Sequence, residues 1–230
     1  MSIEVWWGSG STPAWRVLLG FTAKNVPFTS NLLSFSAGDT RKPAFLAINP
    51  RGKVPAIRDG AYRLNESLAI LAWLDRKHPE VPLFGTTAED HGTIWRLCLE
   101  YENHGRTAFD AVARPLAFGR AEAEADAIRA GVAGVHEELA RLEAAVGGGY
   151  LVGGALSAAD LVWFCGVQWA IRGATRPAAA PFELGWWPLV DRYPAIAAWA
   201  ARIEAIPGYD ATMPPHWLEG AAPSPRRIGG

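Results

Sequence analysis

Asn49-Pro50-Arg51-Gly52-Lys53-Val54-Pro55-Ala56-Ile57, followed shortly by Asn65-Glu66-Ser67, says more about this chain than any other stretch. Pro55 falls inside an apolar, strand-like run. Proline has no N–H for a ladder, so it is tolerated only at an edge, a strand end or a bulge. Backbone groups beside it are left for another partner. Asp59-Gly60 suits the positive φ angles of a type I′ turn and predicts a hairpin between strands over 54–58 and 61–64. Directly after the second strand, Asn65-Glu66-Ser67 opens the periodic run Leu68, Ile70, Leu71, Leu74, which predicts a helix whose first turn points amide groups outward.

Outward from the hairpin, the first third of the chain alternates in type. The patterns predict a strand over 3–7, a helix over 12–24, a strand over 26–33 and a helix over 39–48, so that the hairpin and its helix complete a β-α-β-α-β-β-α order. Helices interleaved with strands imply a central sheet covered by helices. Residues 78–91, with Pro79 and Pro82, break the periodicity and read as a linker. Beyond them the spacing is helical over 94–102, 122–145, 159–172 and 196–206, which makes the second half all-α. The domains are expected over 1–80 and 91–220, joined by 81–90, with 221–230 as a flexible tail.

Composition narrows the function classes. Half of the 230 residues are apolar, and a chain of that size buries roughly 70 % of its unfolded surface. A net charge of −1 provides no global field toward nucleic acid or anionic lipid, and neither is expected as a partner. Cys98 and Cys165 lie far apart in apolar helical patterns without a CxxC pair, as in a reduced compartment. His78, His91, His104, His136 and His216 share no ligand spacing, so no metal site is expected. The first residues lack a basic flank and apolar core, and the longest apolar stretch, 161–171, is too short to span a bilayer. A soluble, cytoplasmic protein is expected.

An α/β sheet domain with a proline before its hairpin, joined to an all-α domain, resembles the cytosolic glutathione transferase family over essentially the whole chain. The resemblance is carried by Asn-Pro-Arg-Gly-Lys-Val-Pro at 49–55, Asn-Glu-Ser at 65–67 and the helix start Ser157-Ala158-Ala159-Asp160. It implies a thioredoxin-like first domain that holds glutathione as co-substrate, a helical-bundle second domain, and a cis peptide bond before Pro55. It also implies a homodimer through the third and fourth helices and an electrophilic small molecule bound between the domains. The chemistry of glutathione maps onto these residues. Val54 can offer N–H and C=O to the cysteinyl unit as a short antiparallel strand. Ser67, at a helix start, can donate to the γ-glutamyl carboxylate, Glu66 can accept from the ammonium, and Lys53 can meet the glycyl carboxylate. The bland alternatives are a plain helix cap at Glu66-Ser67 and a solvated lysine at 53.

In the family the catalytic residue occupies the turn from the first strand to the first helix, as Tyr, Ser or Cys. Here that turn reads Ser9-Gly10-Ser11-Thr12-Pro13-Ala14, with Ser11 at the reactive position and Ser9 and Thr12 as second choices. A hydroxyl before proline at a helix start is also an ordinary cap, and the two roles can coincide. Ser11 would act as a hydrogen-bond donor to sulfur, not as a nucleophile. A hundredfold shift toward thiolate corresponds to roughly 2.7 kcal/mol, which one charge-assisted hydrogen bond and a helix terminus can supply. The absence of Tyr from the first 60 residues, with Trp15-Arg16-Val17 after the turn, is most like the serine-type, zeta- or theta-like bacterial branch.

Trp7, Tyr101, His104, Trp169, Arg172 and Trp217 are candidate walls for the second substrate, although aromatics at helical spacing are more often core. Asp160 reads as part of a capping box. Conjugation is the expected reaction; isomerisation, dehalogenation, ether cleavage and peroxide reduction use the same thiolate. The alternative is a glutathione-binding or protein-interaction module without turnover. A thiol-disulfide oxidoreductase would need a cysteine where Ser11 and Ala14 stand.

Overall fold

The computed structural model describes residues 2–218, and the tail expected over 221–230 lies outside the described residues. Among the described residues two compact units are present, one of residues 2–84 with 205–218, the other of residues 85–204.

In the first unit, β1 (Ile3–Gly8) buries Ile3, Val5 and Trp7 on one face and leaves Glu4 and Trp6 half-buried on the other. It pairs in parallel with β2 (Phe28–Leu33), and a parallel pair needs a crossover. That crossover contains α1 (Thr12–Ala23), which starts with proline in its first turn. A short α2 (Pro43–Leu46) precedes β3 (Ala56–Asp59), which runs antiparallel to both β1 and β4 (Tyr62–Asn65). The sheet order is therefore β2-β1-β3-β4. The helix expected over 39–48 is broken: a 3-10 turn at Asp39–Arg41 ends at Lys42, which is extended (φ −71°, ψ 144°). A residue before proline is pushed out of the helical region, and Pro43 follows. The hairpin is shifted by one residue from expectation. Asp59 pairs with Tyr62, so Gly60 and Ala61 form the turn, with Gly60 at φ +61° in the first central position. That placement suits a type II′ turn rather than I′. Next comes α3 (Ser67–Lys77), which packs on α1 where Gly20 has no side chain; a Cβ there would collide with Leu71.

The second unit opens with α4 (Ala88–Glu100), capped by Thr87, whose Oγ1 accepts from Asp90 N–H at 3.1 Å. The helix passes through a π turn at Tyr101–Gly105 into α5 (Arg106–Ala117). The expected helix over 94–102 is thus the middle of a longer one. The π turn coincides with tight packing on α7 (Ala158–Ala174). A Cβ on Gly105 would come within 2.9 Å of the Trp163 ring, and one on Gly166 would strike the ring of Tyr101. Between them lies α6 (Ala125–Ala145), and after α7 come α8 (Leu189–Arg192) and α9 (Pro194–Glu204). Glu143 on α6 caps α9, its two carboxylate oxygens accepting from Ala195 and Ile196 N–H at 2.8 Å each. Among the described residues no helix is long and apolar enough to cross a membrane.

The chain then returns to the first unit through α10 (Tyr209–Thr212) and α11 (Pro215–Leu218). Trp15 on α1 donates its Nε1–H to Thr212 Oγ1 at 2.9 Å and meets the Trp217 ring edge-on at 5.4 Å.

Asp160 is fully buried and holds three segments of the second unit together. It accepts from Leu151 N–H at 2.9 Å, Ser157 N–H at 2.8 Å, Ser157 Oγ–H at 2.6 Å and Trp199 Nε1–H at 2.8 Å. Burial pushes its carboxyl pKa up, and these donors pull against that. Asp160→Ala strands several buried donors at once and is expected to cost about 3–5 kcal/mol in urea unfolding; a loss below about 1 kcal/mol would show that the capping box is dispensable.

Candidate functional site

The frame of the 49–55 loop is a buried asparagine. Asn49, 2 % exposed, donates its Nδ2–H to Lys53 C=O at 2.6 Å, and its Oδ1 accepts from Arg51 N–H at 3.1 Å and Asn65 Nδ2–H at 3.3 Å. Gly52 closes the turn with φ +62°, donating its N–H to Asn49 C=O at 2.9 Å. A Cβ at Gly52 would meet Thr40 C=O at 2.8 Å, so the loop needs glycine for both reasons. The Val54–Pro55 bond is cis. The ladder between β1 and β3 ends at the pair Trp6 and Ala56. Val54, half-buried, lies beyond that last pair, and among the described residues neither its N–H nor its C=O takes a partner. Lys53 is exposed beside it.

The N-terminus of α3 closes the other side of the hairpin. Glu66 is exposed and sits at φ +68°, ψ 111°, a conformation that costs a non-glycine residue on the order of 1–3 kcal/mol. Its side chain makes no cap hydrogen bond. Ser67 is buried, and its Oγ accepts from Arg16 Nε–H at 2.9 Å and Nη2–H at 2.6 Å.

At the turn from β1 to α1, Ser11 is the N-cap. Its Oγ accepts from Ala14 N–H at 3.3 Å and its own N–H donates to Gly8 C=O at 3.1 Å. Ser11 and Thr12 are both half-buried. Ser9 is otherwise engaged: its Oγ shares a 2.5 Å hydrogen bond with His216 Nδ1 and accepts from His216 N–H at 3.4 Å. Gly10, at φ +83°, leaves room for that imidazole; a Cβ there would come within 2.5 Å of His216 Cε1 and 3.3 Å of Trp217 Nε1. On the other flank, the half-exposed ring of Phe35 lies against Gly8, and a Cβ there would displace it. Trp7 is buried in the sheet and donates its Nε1–H to Ser30 Oγ at 2.7 Å.

Ser9, Ser11, Thr12, Lys53, Val54, Pro55, Glu66, Ser67, Trp7 and Trp217 thus belong to the first unit, and Tyr101, His104, Trp169 and Arg172 to the second. Tyr101 is 3 % exposed, its ring edge-on to Trp163 at 5.3 Å, so it is core. His104 borders a cavity of about 410 Å³ together with Arg96, Glu100, Arg141 and Trp163. Trp169 donates its Nε1–H to Asp110 Oδ1 at 2.9 Å. Burial, with Arg176 nearby, lowers the pKa of Arg172. Among the described residues no group of three acidic, histidine or cysteine side chains could hold a metal ion. Asn49, inside the proline-glycine loop, and Arg16, a charge within the apolar run of α1, carry no binding role in the sequence reading, although both stand out locally.

Residues 10–77 match the glutathione S-transferase N-terminal domain, and residues 125–202 match the glutathione S-transferase C-terminal domain. Glutathione S-transferase A of Pleuronectes platessa is 28 % identical over 220 residues, covering 93 % of this chain and 92 % of that one. The crystal structure of a glutathione S-transferase from the Antarctic clam Laternula elliptica superposes with a TM-score of 0.81 at 28 % identity, over 99 % of this chain and 100 % of that one. A glutathione transferase family member from Pseudomonas fluorescens, solved with two glutathione bound, shares the fold with a TM-score of 0.78 at 21 % identity, over 93 % of this chain and 92 % of that one. With a thioredoxin-like sheet domain followed by a helical domain, each matched by its own half of the family, the chain belongs to the glutathione S-transferase family.

Proposed function

We propose that this chain binds glutathione in its first unit and activates it as a thiolate for attack on an electrophilic small molecule. The observation that carries this reading is the state of Ser11. Its oxygen accepts the Ala14 N–H of α1, which leaves the hydroxyl proton for a sulfur placed at the positive end of that helix. A donor and a helix terminus both favour the charged form of the thiol. Rate then comes from thiolate population and from holding the two reactants together. Val54 supplies backbone N–H and C=O to the cysteinyl unit, next to cis Pro55. Ser67 and the first amides of α3 take the γ-glutamyl carboxylate, Glu66 the ammonium and Lys53 the glycyl carboxylate. The glutathione bound in the Pseudomonas relative supports the choice of ligand. Conjugation is the proposed reaction, and the serine-type, zeta- or theta-like branch is the proposed kinship, on Ser11 and Trp15-Arg16-Val17.

Ser11→Ala tests this reading. Turnover on a halo-arene is expected to fall about 10²-fold, as when one donor to a developing or bound anion is removed. The pH–rate profile should move alkaline while glutathione affinity stays within a few-fold. An unchanged profile would transfer the role to Thr12, since Ser9 is held by His216. Glutathione binding with no turnover over a broad electrophile panel would favour the non-catalytic module.

A homodimer through α3 and α4 completes the proposal. Exposed Tyr62 stacks on Trp73 of α3 at 6.0 Å, and Leu99 of α4 is 47 % exposed, apolar area of the kind interfaces cover. Sedimentation should report a dimer that the double variant Tyr62→Glu, Leu99→Glu converts to monomer; a monomeric wild type would refute it.

A further inference from the structure

Arg16 on α1 and Ser67 at the first position of α3 are both buried, 4 % and 5 % exposed. Two guanidinium N–H groups of Arg16 donate to the single Ser67 Oγ, Nε at 2.9 Å and Nη2 at 2.6 Å. A serine hydroxyl has two accepting lone pairs and one proton. The arginine fork therefore fills its accepting side and turns the proton away from Arg16. Among the described residues no acceptor takes that proton. The first intrahelical bond of α3 runs from Ile70 N–H to Glu66 C=O at 2.9 Å, so the N–H groups of Ser67, Leu68 and Ala69 precede it. The Ser67 hydroxyl and these three amides are thus all donors, with a guanidinium behind the hydroxyl.

We propose that Arg16 is a positioning residue for the α-carboxylate of the γ-glutamyl unit, acting through Ser67; the inference rests on glutathione being the ligand of this unit. Two N–H groups on one oxygen fix the serine rotamer, and the adjacent positive charge polarises its O–H. A polarised donor gains more from an anionic acceptor than from a neutral one. The pair therefore selects for the carboxylate and not merely for a hydrogen-bond acceptor. Lysine cannot reproduce the arrangement, because its ammonium is a compact point charge and not a planar fork. Arg16 also ties α1, which begins at Ser11, to α3, which begins at Ser67. One side chain thereby sets the spacing between the thiol end and the carboxylate end of the ligand.

The test is calorimetric binding of glutathione and of 4-aminobutanoyl-cysteinyl-glycine, which keeps the amine and thiol but lacks that carboxylate. Arg16→Lys should bind glutathione at least tenfold more weakly than wild type and the analogue within twofold of wild type. Arg16→Gln, which keeps an N–H donor without the charge, is the second variant and should show the same carboxylate-dependent loss. In a Ser67→Ala background, the effect of Arg16→Lys on glutathione should vanish. Equal losses for both ligands would mean that Arg16 is merely structural and would overturn the proposal, as would undiminished glutathione affinity. If the wild type binds both ligands equally, this inference alone fails. If it binds neither, the glutathione reading beneath it fails as well.

Discussion

The β1 to β3 ladder stops at Ala56 because Pro55 has no N–H to continue it. That one missing donor organises the rest of the first unit. It leaves the backbone of Val54 outside the sheet, and it makes the chain before it a loop that needs its own internal support. Asn49 provides that support, closing the loop on Lys53 and Arg51 and reaching across to Asn65 at the end of β4. The same side chain thus ties the segment before the hairpin to the segment after it. A hairpin whose turn is only two residues long then delivers the chain straight into the N-terminus of α3. The strand end and the helix N-terminus are thereby joined through a short hairpin, above the buried Ile57 of β3 and Ile70 of α3.

Carboxylates of the second unit and groups of the candidate site in the first differ in how far they are satisfied. Asp160 is saturated with donors from its own unit, and its saturation explains why a buried carboxylate in a helical bundle need not be reactive. Glu143 behaves alike at the start of α9. In the first unit two groups of the candidate site stop short of saturation. Glu66 is left uncapped in a strained conformation, and no described residue satisfies Val54. Natural sequences place such local inconsistencies where a ligand is meant to resolve them.

How much of this was legible follows from where the signal resides. The order of elements in the first unit could be read because strand alternation, Pro55 and the cap sequence are local patterns. Continuity of α4 into α5 could not, since the π turn at Tyr101–Gly105 shifts the helical spacing at the point where the reading over 94–102 ends. Gly105 is a packing residue, its missing side chain replaced by the Trp163 ring from α7. The hairpin turn slipped because Asp59-Gly60 and Gly60-Ala61 both offer glycine a positive φ, and only the pairing of Asp59 with Tyr62 decides between them. Arg16 to Ser67 spans 51 positions and Ser9 to His216 spans 207; no periodicity reports contacts at such separations. A charged arginine within the apolar run of α1 is nevertheless a local anomaly that the sequence displays.

Ser11 and Ser67 obey the same arithmetic. Each stands at the start of a helix, each has its oxygen engaged as an acceptor by the chain itself, and each is left with a proton to give. Ser11 accepts from a backbone amide of its own helix, so its environment is neutral apart from the helix end. Ser67 accepts from a guanidinium, so its environment is cationic. The weaker field suits a group that must change charge during a reaction, because an anion held too firmly loses nucleophilicity. The stronger field suits a carboxylate that stays charged throughout. On the proposed function, two identical side chains divide into a chemical and an anchoring role through what occupies their lone pairs.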